Sequence, residues 1–330
     1  MTSFISWWTS AVVFGTVIMY GALGEILTEK SGHLNLGVPG MVFLGAFAGF
    51  ASAFLLEQKT TNPVVLLLIP LICAFAAGAL GGLIYNFFTV TLKANQNVTG
   101  LALTYLGVGI GSFGGQYVVK AAGYETFARA SATSSIYCKS ISKLGGLTDS
   151  FSKMFLSYGF LIYLAIIIAI IMFIILKKTR VGLNLRSIGE SPATADAAGI
   201  NVTKYKYLAT IIGGGISGLG GLSYVLIYCQ GGWMTANSIE ALGWLAVALV
   251  IFSTWKPLNA IWGSYLFALL YWFYTNANVF HLEFNVVQAD LVQMLPYLVT
   301  ILVLIFISLR KKKENQPPAS LGLNYFREDR

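Results

Sequence analysis

The segment KKTRVGLNLRSIGESPATADAAGINVTKYK, residues 177–206, is a polar island between two long apolar stretches. Its basic residues are Lys177, Lys178, Arg180, Arg186, Lys204 and Lys206, opposed only by Glu190 and Asp196. Lys and Arg are retained on the cytoplasmic side of a bilayer, so the island is assigned to that side and orients the apolar stretches around it. Inside it a short helix carries its own punctuation. Ser191 can cap the helix, Pro192 suits the first helical position because it has no N–H to leave unpaired, and Gly199 can take the left-handed conformation that closes it. Between them Ala193, Ala195, Ala197 and Ala198 give a slim rod suited to a groove on another protein. The plainer reading of the same pattern is a connecting loop with a helical turn.

Composition sets the class. The chain has 330 residues, 56% hydrophobic and 10% charged, against the ~25% charge usual in a soluble domain. It therefore reads as an all-α polytopic membrane protein. Uncharged intervals of about 20 residues are long enough to cross a bilayer. They fall at 7–27, 37–56, 64–90, 96–119, 154–176, 207–228, 238–254, 257–276 and 289–309, about nine transmembrane helices, with eight to ten allowed. Alternating them from the island puts the N-terminus outside and the C-terminus inside. Lys30, Lys93, Lys256 and the run Arg310 to Lys313 then join the island on the inner face, while Lys59, Lys120, Arg129, Lys139, Lys143 and Lys153 fall outside, mostly in one long loop over 120–153. Residues 1–310 thus form a membrane domain, and 311–330 read as a cytoplasmic tail with a disordered end. The net charge of +8 follows the inner face of the membrane and gives no support to nucleic acid as a partner.

The chemistry-bearing residues are sparse. Asn35, Asn95, Gln96, Asn97, Thr104, Gln116, Gln230, Trp233 and Asn237 lie in or beside the spans. Amides and hydroxyls can hydrogen-bond sugar hydroxyls or base edges, and an aromatic ring can stack on a base, so these are the candidates for a neutral solute's path. Solvated helix ends explain several of them equally well. Asn35 precedes Gly37, Pro39 and Gly40, and a broken helix there either lines a path or is an ordinary helix start. Small residues recur four apart at Ala74, Gly78 and Gly82, at Gly107, Gly111 and Gly115, and at Gly214 and Gly218, the pattern that lets membrane helices approach closely. Glu25, Glu240 and Asp290 fall near predicted ends, so no ionisable residue is expected inside the bundle. His33 and His281 are expected on opposite faces, and Cys73, Cys138 and Cys229 show no ligand spacing, so no metal or catalytic centre is expected. No GxxxxGK[ST] loop occurs, so nucleotide hydrolysis would belong to another chain.

GESPATADAAGI, residues 189–200, resembles the cytoplasmic coupling segment of permease subunits in bacterial ATP-binding-cassette importers of the ribose and branched-chain amino acid permease superfamily. GEILTEKSGHLNLGVPGMVFLGAFAGF (24–50), LKANQNVTGLALTYLGVGIGSF (92–113) and GWLAVALVIFSTWKPLNAIWGSYLF (243–267) resemble its nucleoside and simple-sugar branch. The resemblance implies a multi-pass protein of the bacterial cell membrane, with Gly189, Glu190, Ser191, Pro192, Ala195, Ala198, Gly199 and Ile200 contacting an ATPase subunit. It also implies a second, similar permease and an extracytoplasmic solute-binding lipoprotein. ATP and Mg would sit on the ATPase, and no cofactor on this chain. Cargo would be a nucleoside or, alternatively, a simple sugar such as ribose; an ATP-independent carrier or channel is the reading from another class.

Overall fold

A computed structural model describes residues 2–125, 127–140, 154–233, 237–275, 294–310 and 316–326, with isolated positions between 285 and 292. His281, residues 141–153 and the ends of the tail lie outside the described residues. Among the described residues the chain is helical, with a single isolated backbone bridge between Arg129 and Gly232. The helices are α1 (Thr2–Glu29), α2 (Val38–Glu57), α3 (Pro63–Asn86), α4 (Gln96–Ala121), α5 (Ser131–Tyr137), α6 (Phe160–Lys178), α7 (Arg180–Glu190), α8 (Pro192–Ala197), α9 (Val202–Ser223), α10 (Asn237–Phe252), α11 (Pro257–Thr275) and α12 (Leu295–Arg310). Two of them end in π-helical turns, α3 over Phe87–Thr91 and α9 over Tyr224–Tyr228. Local signals set the starts: Asn62 caps α3 by accepting from Val64 N at 3.0 Å with Pro63 behind it, and Asn95 caps α4 by accepting from Val98 N at 3.1 Å.

Among the described residues six stretches are long and apolar enough to cross a membrane: Phe4–Glu29, Val38–Glu57, Pro63–Thr91, Gln96–Ala121, Phe160–Lys178 and Val202–Tyr228. The helical class agrees with the sequence reading. Of the other expected spans, α10 is a shorter apolar helix.

The centre of the bundle is α9, which packs against α1, α2 and α3, while α2 also packs against α4 and α10. Lipid offers helices no hydrophobic gain from meeting one another, so backbone proximity has to supply the attraction. A Cβ on Gly78 would lie 2.2 Å from the Gly214 carbonyl oxygen, one on Gly45 2.3 Å from Gly218, and one on Gly107 2.5 Å from the Gly40 carbonyl oxygen. A Cβ on Gly111 would meet the Phe43 ring at 2.1 Å. The four-residue spacing seen in the sequence therefore marks helix contacts.

The loops sort to two ends. At one end the connections 30–37 and 91–96, helices α7 and α8, and the turn 253–256 come together. At the other end Trp8 Nε1 donates to Met154 O at 3.2 Å, Thr133 N donates to Glu57 Oε2 at 3.2 Å, and Arg129 Nε donates to Gln230 O at 2.7 Å. The tail departs from the disordered end expected of its composition. Over 316–326 it follows a defined path across the first end, where Ser320 N donates to Gly189 O at 2.9 Å and Gly322 N to Gly32 O at 3.2 Å.

Replacing Gly78 by Leu should force α3 and α9 apart and lower the thermal midpoint of the purified protein by on the order of 5 °C or more. Gly109, with nothing within 4 Å of an added Cβ, should accept the same change with no loss of folded yield. Equal behaviour of the two variants in a thermal-shift assay would contradict the packing assignment.

Candidate functional site

The end of the bundle that carries α7 and α8 is built from a relay of capped turns. Thr179 closes α6 and opens α7, its hydroxyl accepting from Gly182 N at 3.2 Å. Ser191 ends α7 and caps α8 by accepting from Thr194 N at 3.4 Å, and Pro192 stands at the start of α8. Gly199, at φ +81°, turns the chain back so that Ile200 N donates to Ala195 O at 3.0 Å. Asn201 then caps α9 by accepting from Lys204 N at 2.9 Å. Ser191, Pro192 and Gly199 thus hold the positions the sequence assigns to them.

Residues 189–200 divide into two faces. Ala195 is 3% exposed and packs with Ile188 and Val202, against Ile200, Tyr205 and Tyr325. It faces the body of the protein and cannot be touched from outside. Gly189 is buried too: an added Cβ would lie 2.5 Å from Lys30 O. Glu190, Ala193, Thr194, Ala197, Ala198 and Gly199 form the exposed face, small in side chain apart from Glu190 at its edge. Beside it α7 exposes Val181 and Leu183.

The tail holds this segment in place. Tyr325 Oη donates to Asp196 Oδ2 at 2.8 Å on α8, Lys93 Nζ donates to Tyr325 O at 2.7 Å, and Asn324 Nδ2 donates to Lys93 O at 2.7 Å. A groove of about 700 Å³ runs between them, lined by Lys93, Asp196, Ile200, Lys204, Tyr207 and Tyr325.

Behind the exposed face lies a polar core that the sequence did not reveal. Asn35 N and Nδ2 donate to the two carboxylate oxygens of Glu25 at 3.0 and 3.3 Å, and Asn35 Oδ1 accepts from Gly37 N at 2.9 Å. Gln96 Oε1 accepts from Leu34 N at 2.8 Å while Gln96 Nε2 donates to Leu323 O at 3.2 Å. Thr104 Oγ1 donates to Leu36 O at 2.8 Å, Tyr85 Oη donates to Leu34 O at 2.7 Å, and the Trp255 indole donates to Glu29. The structure thus brings Asn35, Gln96 and Thr104 together, but their polar atoms satisfy the backbone of the break at 34–37, as a buried non-helical stretch requires. The expectation of no buried ionisable residue is corrected: Glu25, Glu29, His33 and Lys206 are all buried here.

His33 Nδ1 lies 3.3 Å from Thr210 Oγ1, and the same hydroxyl lies 3.1 Å from Lys206 O. Burial, with Lys206 and Lys93 nearby, holds the His33 pKa well below its ordinary value. Burial also lowers the Lys30 ammonium, and Glu190 opposes that shift.

The other candidates do not join this site. Asn95 is spent on its cap, Asn97 is exposed at the same end, and Gln116 is exposed on the flank of α4. Trp233 packs at the far end against Phe43, Phe47 and Phe50, with ring centroids 5.1 to 6.5 Å apart. Gln230, at φ +51°, accepts from Arg129 Nη2 at 2.8 Å. Asn237 opens α10, and its side chain lies outside the described residues. Among the described residues no group of three His, Cys, Asp or Glu side chains is placed to hold a metal ion.

Comparison with known proteins gives consistent matches. The sequence model of the family described as branched-chain amino acid transport system / permease component covers residues 8–304. TsgC13 of Haloferax volcanii, a permease named for glucose ABC transport, is 33% identical over 263 residues, 79% of this chain and 74% of its own length. NupQ of Bacillus subtilis, a guanosine ABC transporter permease protein, is 30% identical over 89% of each chain. NupC of Lactococcus lactis subsp. cremoris, a nucleoside ABC transporter permease protein, is 29% identical over 96% of this chain and 95% of its own. No solved structure matches.

The site generates two predictions. Deleting residues 316–330 should speed amide hydrogen exchange of residues 189–200 by ten-fold or more, since the Tyr325 and Ser320 contacts are lost; unchanged exchange would show that the tail does not hold α8. Because the folded state keeps His33 neutral while the unfolded chain takes up a proton near pH 6.5, stability is fully present above about pH 6.5 and falls as pH drops below it. The thermal midpoint of the wild type relative to that of His33→Gln should therefore decline from pH 7.5 to 5.5, and a difference constant over that range would contradict the assignment.

Proposed function

The chain belongs to the branched-chain amino acid transport permease family, and from that membership we propose that it forms the translocation path of an ATP-binding-cassette importer for nucleosides. The chain is a permease component, a transporter subunit and not an enzyme. A second permease, an ATPase subunit carrying ATP and Mg, and an extracytoplasmic solute-binding lipoprotein complete the assembly in this reading. The end that gathers Lys30, Lys93, Lys177, Lys178, Arg180, Arg186, Lys204 and Lys256 is cytoplasmic, in line with the retention of basic residues on that side. Nine crossings, with the N-terminus outside and the C-terminus inside, fit the sorting of the loops to two ends.

One observation carries the coupling role. α8 is a short rod, capped at both ends, whose exposed residues are the small Ala193, Thr194 and Ala197, and which is held from within by Ala195 against the bundle and by Asp196 on the tail. A rod of that kind transmits a push without deforming. Closure of an ATPase pair would displace α7 and α8 together, and through Gly189 and the 30–32 turn the load would reach α1. The two states must differ in their contacts with cargo for ATP to drive the switch.

Nucleoside is preferred to sugar because two of the relatives described above are named for nucleoside or guanosine transport and align over more of the chain than TsgC13 does. Competition between labelled uridine and ribose for uptake separates the two cargoes. Uridine uptake should be unaffected by a hundred-fold excess of ribose. Reconstitution of this chain without an ATPase should give no flux, and flux would favour a carrier or channel.

Ala197→Arg, on the exposed face, should leave the fold intact and reduce solute-stimulated ATP hydrolysis by the reconstituted complex by ten-fold or more. Undiminished stimulation would remove α8 from the coupling path.

A further inference from the structure

The half of the bundle away from the coupling segment contains a cavity of about 270 Å³, lined by Phe14, Tyr224, Tyr228, Leu242, Leu245 and Tyr271, with Ala241 at its edge. Ligand pockets run roughly 300–1,000 Å³, so this one fits a single flat ring system. Its walls come from α1, the π-helical turn of α9, α10 and α11. No charged side chain lines it.

The aromatic rings are ordered in stacked pairs. Phe14 lies on Tyr271 with centroids 4.6 Å apart and planes 14° from parallel, and Tyr224 lies on Tyr228 at 5.2 Å and 24°. Phe14 and Tyr228 meet at 5.6 Å, which joins the two pairs. The π-helical turn creates this wall. Cys229 N donates to Tyr224 O at 2.8 Å and Gly231 N to Val225 O at 2.8 Å, bonds that wind the chain wider than an α-helix. π-helical turns are rare and occur frequently at functional sites; this one ends α9. The turn's freed Leu226 carbonyl accepts from Ser134 Oγ at 2.8 Å, so its geometry is fixed from behind. The phenol groups of Tyr228 and Tyr271, both partly exposed, have no hydrogen-bond partner among the described residues.

Aromatic faces on one side, the aliphatic Leu242 and Leu245 on the other, and two phenol hydroxyls at hand suit a neutral planar heterocycle with polar edges. We propose that this cavity is a station for the base of a nucleoside on its way through the bundle, with Tyr228 and Tyr271 as the stacking and edge-recognising residues. The assignment rests on the nucleoside reading above and names the site where that cargo is held. The sequence-chosen polar residues lie elsewhere: Asn35, Gln96 and Thr104 hold backbone at 34–37, Gln116 is exposed on the flank of α4, and Asn95, Asn97, Gln230 and Trp233 stand at the two ends.

The test uses the full complex in detergent, with 2-aminopurine riboside as the probe, since its fluorescence falls when it stacks on an aromatic ring. Saturable quenching that unlabelled guanosine reverses is expected for the wild type. Tyr228→Leu and Tyr271→Leu should each weaken it on the order of ten-fold, the loss expected of one base–aromatic stack. Tyr228→Phe should keep the quenching and lose part of the discrimination between guanosine and inosine. Co-purification with the ATPase and the thermal midpoint of the complex should be unchanged in all three, which separates a binding defect from misfolding. Wild-type affinity and uptake in both Leu variants would overturn the cavity assignment alone, whereas a wild-type complex that takes up no nucleoside would overturn the nucleoside reading itself. Quenching displaced by added phospholipid and not by guanosine would mark an acyl chain as the occupant and also overturn the proposal.

Discussion

The contact on which the structure depends is backbone against backbone along α9. Gly214 and Gly218 bring this helix within touching distance of α3 and α2, and Gly213 does the same against Gly24 of α1. In lipid such proximity replaces the hydrophobic drive that packs a soluble core. A helix gripped on three sides at this distance has little freedom to slide. Any motion of the bundle has to carry α9 with it or separate it from a neighbour along a whole glycine face. The start of α9 follows α8 directly, and its far end is the π-helical turn that walls the aromatic cavity. One rigid helix therefore joins the face that would receive mechanical work to the cavity that would receive solute.

The polar end is organised by the need to satisfy buried backbone. The break at 34–37 exposes peptide groups that lipid cannot hydrate, and Gln96, Thr104, Tyr85 and Glu25 each meet one of them. The same Gln96 also holds the tail through Leu323. The loop, the tail and the 189–200 segment are thus one hydrogen-bonded unit, so that a push on α8 would be delivered to the ends of several helices at once.

What the sequence made legible was local. The spans follow from runs of apolar residues, and the caps of α8 follow from Ser191, Pro192 and Gly199 by rules that act over four residues. The glycine faces were readable because their spacing is one helical turn. Contacts between distant segments were not readable. Glu25 and Glu29 stand near a helix end in sequence, and their burial depends on Asn35 and Trp255 folding over them. Ala195 looked like part of an outward rod, but Ile188 and Tyr325 arrive from other elements to cover it. The tail beyond its basic start read as a disordered end, and there the apolar and aromatic residues Leu321, Leu323 and Tyr325 carry the docking contacts. The cavity residues Phe14, Tyr228 and Tyr271 share no motif, and only the fold brings their rings together.

The central claim is that the slim exposed face of α8 is where a nucleotide-hydrolysing partner grips the bundle. A photo-crosslinking amino acid placed at Ala197, in the complete complex in native membranes, tests it most directly. The account predicts an adduct with the ATPase subunit that shifts in yield when nucleotide is added. An assembled complex that gives an adduct only with the extracytoplasmic binding protein, or none with the ATPase, would contradict it.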